Sequence, residues 1–184
     1  MFKNLRAILV ILTLLWSALI GSAQAVRAES ASTREPKTVA DFFLLVPDRY
    51  MHGYDLPFRQ QLLRGERRGT VIDIKNGYIS WNASDNPEEF EFAIFRKNNG
   101  KYVVAFSSPG DPGLYPSHFF LLTYDNGKWR DVTRALLPVA AYNKLFNYKL
   151  PRQGRTIVVT RDWRERYHLT WTDDRFRIKR RAGE

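Results

Sequence analysis

The side chains that could do chemistry in this chain are few and scattered. There are three histidines, His52, His118 and His168, and no cysteine. Zinc sites draw on close pairs of His and Cys ligands, and the spacing here supplies no such pair. A calcium loop needs acids alternating around a glycine. The acids of 85–89 (DNPEE) fall at other spacings and read as a solvated turn. Ser107-Ser108 precede Pro109-Gly110 and Ser117 precedes His118, but no Gly-x-Ser-x-Gly elbow is present to expose a nucleophile. Asp125, Asp173 and Asp174 are accounted for by turns. Asp131 alternates with Trp129 and Thr133 and reads as a buried, hydrogen-bonded acid in a structural role. Gly65 to Gly69 (GERRG) neither follows a strand nor opens a helix, so it is a basic turn and not a phosphate loop. No catalytic residue, metal ligand or cofactor site is assigned, which leans the reading away from an enzyme.

Positive charge is what remains. The chain has 29 Lys and Arg against 19 Asp and Glu, a formal net charge of +10. Near the C-terminus, Phe176 and Ile178 alternate with Arg175, Arg177 and Lys179, and Arg180 follows. A second basic set comprises Arg152, Arg155, Arg161, Arg164 and Arg166. From these, Arg175, Arg177, Lys179, Arg180, Arg161 and Arg164 are the candidate anion-binding residues. Such a stripe concentrates anions at the surface and speeds encounter with acidic partners. The same alternation also keeps an edge strand from pairing with a neighbour, and the pattern alone does not separate the two roles.

The elements that must position these residues are strands. His118 to Thr133 (HFFLLTYDNGKWRDVT) folds back on Asn126-Gly127, a pair suited to a two-residue hairpin because both central residues need positive φ. Asn76-Gly77, Asn99-Gly100 and Asp173-Asp174 stand in the same position between alternating segments. Strands are expected near 70–75, 78–82, 89–97, 101–108, 118–125, 128–133, 155–162, 166–172 and 175–180. The proline- and glycine-rich 109–117 is expected to be irregular, and 134–146 is expected to be helical, broken by Pro138. Thr38 and Asp41 form an N-terminal capping box for a helix carrying Val39, Phe42, Phe43 and Val46. A second short helix is expected over 57–64. The fold class is therefore α+β: an antiparallel β-meander of about 7–9 strands with an N-terminal helix packed on one face.

The first 25 residues read as a cleaved export signal. Lys3 and Arg6 precede the apolar run 7–20, and Ala23-Gln24-Ala25 offers the small residues of a cleavage site. The run falls short of the ~20 residues that span a bilayer, so no integral membrane span is expected after cleavage. Cleavage removes two positive charges from the formal +10 and leaves +8. Residues 26–37 are expected to be a disordered leader and 38–184 a single sheet-rich α+β domain. The expected location is periplasmic or secreted.

The segments KTVADFFLLVPDRYM, VIDIKNGYISW, FEFAIFRKNNGKYVVAF, LLTYDNGKWRDVTRALLP and YKLPRQGRTIVV, in that order, resemble a family of exported bacterial domains of unknown function over roughly 37–160. The resemblance implies export and one compact domain and carries over no active-site residue.

Three functions follow. The first is a non-catalytic binding or interaction module whose basic face meets an anionic envelope polymer, a lipid or an acidic protein. The second is a hydrolase of envelope material using unidentified acids. The third is an inhibitor or accessory subunit of another exported protein. Nucleic acid is not an expected partner, because export would keep the two apart. If Trp129 is core, Trp129→Ala should lower stability by about 3–5 kcal/mol in chemical denaturation, and an unchanged midpoint would place the indole in solvent.

Overall fold

Tight antiparallel hairpins set the architecture. The computed structural model describes residues 35–83, 89–110 and 116–179, in which ten strands form two sheets. Strands β1 (Thr70–Asp73), β2 (Tyr78–Asn82), β3 (Glu89–Arg96), β4 (Tyr102–Ser108), β5 (His118–Asp125) and β6 (Lys128–Asp131) pair in sequence order as a six-stranded sheet. Strands β7 (Asn147–Lys149), β8 (Thr156–Arg161), β9 (Arg164–Thr172) and β10 (Arg175–Lys179) form a four-stranded sheet in the order β10-β9-β8-β7. Contacts divide the chain into units 1–36 and 37–184, and nearly all of the described structure belongs to the second. The predicted signal over 1–25, most of the 26–37 leader, loop residues 111–115 and Arg180 lie outside the described residues.

One meander of about 7–9 strands is thus corrected to ten strands in two antiparallel sheets. The break comes after β6. There the chain makes a four-residue helix α3 (Thr133–Leu136), reaches Pro138 and adds a single 3-10 turn over Val139–Ala141. Pro138 has no N–H to continue a helix, so the helix expected over 134–146 is reduced to these two pieces. Strand β7 is only three residues long, too short to register as alternation in the sequence.

Two-residue turns close three of the hairpins with both central residues at positive φ. These are Asn126-Gly127 (48° and 77°), Asp162-Trp163 (51° and 62°) and Asp173-Asp174 (52° and 59°). Gly77 ends the β1–β2 loop at φ 69°, and a β-carbon there would meet Ile94 at 2.6 Å, so both backbone and space demand glycine.

The six-stranded sheet is apolar on both faces. On β4, Val103 and Ala105 join a cluster with Ile157, Leu169, Trp171 and Phe176 of the four-stranded sheet. The alternate residues Val104 and Phe106 join a second cluster with Phe90, Phe92, Val39, Phe42 and Phe43. The last three belong to helix α1 (Val39–Leu45), whose Thr38–Asp41 capping box is formed in both directions. The Phe43 ring lies 5.6 Å from that of Phe90 and 5.1 Å from that of Phe92.

Helix α2 (Leu56–Leu63) supplies Arg59, 1% exposed. Its guanidinium donates to the Phe43 carbonyl at 2.6 Å and the Val46 carbonyl at 2.7 Å, and to Asp48. The carbonyls at the end of α1 have no partner within the helix, and Arg59 caps them while bringing a cation to the negative end.

Two finer expectations change. Asp131 is exposed: Oδ1 accepts from the Thr133 N–H at 2.9 Å and hydroxyl at 2.6 Å, and Thr133 Oγ1 accepts from the Leu121 N–H. The acid therefore shapes a strand exit from the surface. Trp129 is half-buried, beside Tyr124 at 5.1 Å and Phe42 at 6.3 Å, which lowers the expected cost of Trp129→Ala below that of a core tryptophan. Arg59→Met should cost about 3 kcal/mol, measured by urea denaturation, because it leaves two buried carbonyls unsatisfied. A loss under about 0.5 kcal/mol would mean that water replaces the guanidinium and that it is not a tie between the helices.

Candidate anion-binding site

The predicted cations fall into two groups. Strand β10 is the edge of the four-stranded sheet, and Arg175, Arg177 and Lys179 stand opposite Thr172, Thr170 and His168 of β9. Phe176 is 2% exposed and the three cations are exposed, so the row lies on the face turned from the core. The row extends roughly 13 Å, two pleat repeats of a strand. Arg177 Nη2 is 3.2 Å from Asp173 Oδ2. Arg161 and Arg164 are partners across β8 and β9, at the tip formed by Asp162-Trp163. That tip lies about 13 Å further along β9 than His168, so row and tip do not make one site. Arg161 is 3.5 Å from Asp162, and both are exposed.

A set of cations that the alternation did not reveal converges elsewhere. Lys37, Lys75, Arg96 and Arg155 line a cavity of about 500 Å³ with Phe95, Tyr102 and Trp171, and among the described residues no aspartate or glutamate lines it. Trp171 builds this site. Its indole N–H donates to the Arg96 carbonyl at 3.1 Å and its backbone N–H to the Arg155 carbonyl at 2.9 Å. One tryptophan thus holds the end of β3 at Arg96 and the entry to β8 at Arg155 beside the same opening. Four cations around one opening suit an anion, through charge and charge-assisted hydrogen bonds. The four lie in separate segments, so no spacing rule on a single strand could have joined them.

Two further groupings were also hidden in the sequence. His52 and His118, 66 positions apart in the chain, meet with ring centroids 3.3 Å apart and planes tilted by 21°. They border a cavity of about 270 Å³ that Ser117, Tyr142, Asn143 and Lys144 also line. Among the described residues no group of three or more His, Cys, Asp or Glu side chains is placed to hold a metal. Partial burial pulls both imidazoles below the ordinary value of 6.5, and His118 is lowered further by the charge of His52.

Glu91 is a half-buried, hydrogen-bonded acid of the kind expected of Asp131. It stands on β3 between Ser80 and Ser107 in register, where the apolar face of the sheet turns polar. Burial raises its carboxyl above the ordinary range, against the hydrogen bonds it accepts. The Leu150 N–H donates to Oε2 at 2.5 Å and the Tyr78 hydroxyl to Oε1 at 2.9 Å. Burial also pushes the Tyr78 phenol up to about 12, which keeps it protonated as a donor. Glu91 thus ties the exit of β7 to the six-stranded sheet.

These shifts have opposite signs in pH. The histidines bind protons less readily folded than unfolded, so their stabilisation is complete above about 6.5 and is lost as pH falls through the lower folded values. Glu91 has the reverse sign: its contribution is complete below about 4.5 and declines as pH rises through its raised folded value. With two histidines set against one carboxyl, urea midpoints should fall between pH 7 and pH 5, less steeply than the histidines alone would give. The His52→Gln/His118→Gln double variant should lose much of that fall, and a double variant that kept the full slope would remove the pair from the explanation.

No protein-family model, curated protein or solved structure matches this chain, so the functional reading rests on its own residues.

Proposed function

We propose that this chain is an exported, non-catalytic binding module that takes an anionic polymer, a lipid surface or an acidic protein of the cell envelope on its basic surfaces. The observation that carries the reading is the cavity lined by Lys37, Lys75, Arg96 and Arg155, with no carboxylate among its described lining residues. A cation held beside carboxylates is largely neutralised. Asp41 and Asp73 hydrogen-bond the lining residues Lys37, Thr38 and Asn76, and against those two carboxylates the four cations leave an excess of positive charge that an anion relieves. The row Arg175, Arg177 and Lys179 adds charge on the edge strand of the sheet whose β8 begins just after Arg155. Export rests on the Lys3–Ala25 segment and its resemblance to a cleaved signal.

The envelope hydrolase is the second reading, and Glu91 is the observation that favours it. A carboxyl raised by burial, with Glu89 lining the same cleft, is what general acid catalysis would need. Against it, both Glu91 oxygens already accept hydrogen bonds from Leu150 and Tyr78. Turnover abolished by Glu91→Gln in a folded protein would establish the hydrolase.

The binding reading is tested by retention on immobilised polyanion, such as polygalacturonate, at increasing salt. Retention should fall steeply between about 50 and 500 mM salt, as screening shortens the reach of each charge. Arg96→Glu/Arg155→Glu should weaken it by more than tenfold at low salt, more than reversal of any two surface lysines elsewhere. Retention indifferent to both salt and charge reversal would overturn the reading.

A further inference from the structure

Trp163 leaves most of its surface outside the core. It is 83% exposed, at the tip of the β8–β9 hairpin, where its φ of 62° is in the left-handed region. In a turn of this kind the second central position favours glycine, and a residue with a β-carbon there is strained. Among the described residues the indole of Trp163 has no ring or hydrogen-bond partner, and most of it is left in water. Strain retained at an exposed side chain points to a contact made outside the chain.

The neighbourhood defines that contact. Trp163 borders a cleft of about 400 Å³ between the two sheets, which Asn82, Glu89, Asn147, Lys149 and Thr160 also line. Amide, carboxylate, ammonium and hydroxyl groups beside an exposed aromatic plane match a sugar ring. The C–H face of a pyranose packs on indole, and its hydroxyls exchange hydrogen bonds with groups of both donor and acceptor type. Glu89 and Glu91 inside the cleft disfavour any anionic group there, so the cleft suits the uncharged face and hydroxyls of a ring whose acidic groups point out of it. Arg161 and Arg164 flank the indole in sequence and face each other across the hairpin, ready to meet a charged substituent outside the cleft.

We propose that the cleft beneath Trp163 binds a sugar ring of an acidic polysaccharide, with the ring stacked on the indole and its acidic groups toward Arg161 and Arg164. This inference rests on the anionic-polymer reading above and identifies the polymer as a glycan.

The test is calorimetric titration of the full-length protein, freed of any export signal, with three probes: hexagalacturonate, linear polyphosphate of equal charge and hexathymidylate. Hexagalacturonate should bind at least tenfold tighter than either of the others. Trp163→Ala should remove about tenfold of that affinity and leave polyphosphate binding unchanged. Trp163→Gly serves as the folding control, because it should raise the melting temperature by relieving the left-handed strain while losing the same affinity. Equal binding of hexagalacturonate by wild type and both variants would overturn the sugar site while leaving the basic-surface reading in place. Sugar binding that needs Trp163 but ignores Arg96→Glu/Arg155→Glu and salt would keep the site and overturn the basic-surface reading. Hexathymidylate binding as tightly as the sugar, or no binding of hexagalacturonate, would overturn the glycan assignment.

Discussion

The structure depends on a sheet that is apolar on both faces. Along β4 every residue from Val103 to Ser107 is buried, with alternate side chains entering different cores. Burying each large apolar side chain contributes roughly 1.5–3 kcal/mol, so neither face can be left in water. Phe42, Phe43 and Leu62 share one core with the sheet, and the four-stranded sheet supplies Ile157, Leu169 and Trp171 to the other. A single meander could not have covered its own second face, and the break at Pro138 lets the last four strands do so.

That demand distributes the charge. The four-stranded sheet is apolar toward the core only, and its outer face is free to carry Arg175, Arg177 and Lys179. Polar chemistry gathers where the interlayer core runs out. At one end Trp171 links the backbones of Arg96 and Arg155, and at the other Glu91 links Leu150 and Tyr78. Those residues lie five apart on β3, roughly 17 Å of strand, so the two ends are separate sites sharing one strand.

Local rules were readable in the sequence. The hairpin at Asn126-Gly127, the turn at Asp173-Asp174 and the capping box at Thr38 depend on neighbours within a few positions, and each formed where the residues said it would. The division into two sheets was not readable, because it depends on how far the chain travels after Pro138 and on a strand of three residues. The cations of β10 were visible through their alternation. Arg155 stood out within the second basic set, but its grouping with Lys37, Lys75 and Arg96 did not, because tertiary folding alone brings them together. Glu91 was hidden within FEFAIF, where a single acid among aromatics reads as an outward residue until the second sheet covers it. The one local signal that was missed is Asp162-Trp163, a turn closed without glycine, with the unusual residue at its most strained position.

The central claim is that the layer covering the long sheet is also the layer that meets the partner. Amide hydrogen exchange measured with and without saturating hexagalacturonate tests it most directly, because it locates the ligand without assuming which side chains bind. The expected result is slowed exchange in 154–179 and at 96–98, with the His52–His118 cavity and β6 unchanged. Slowing confined to that cavity, or spread evenly over both sheets, would contradict the account.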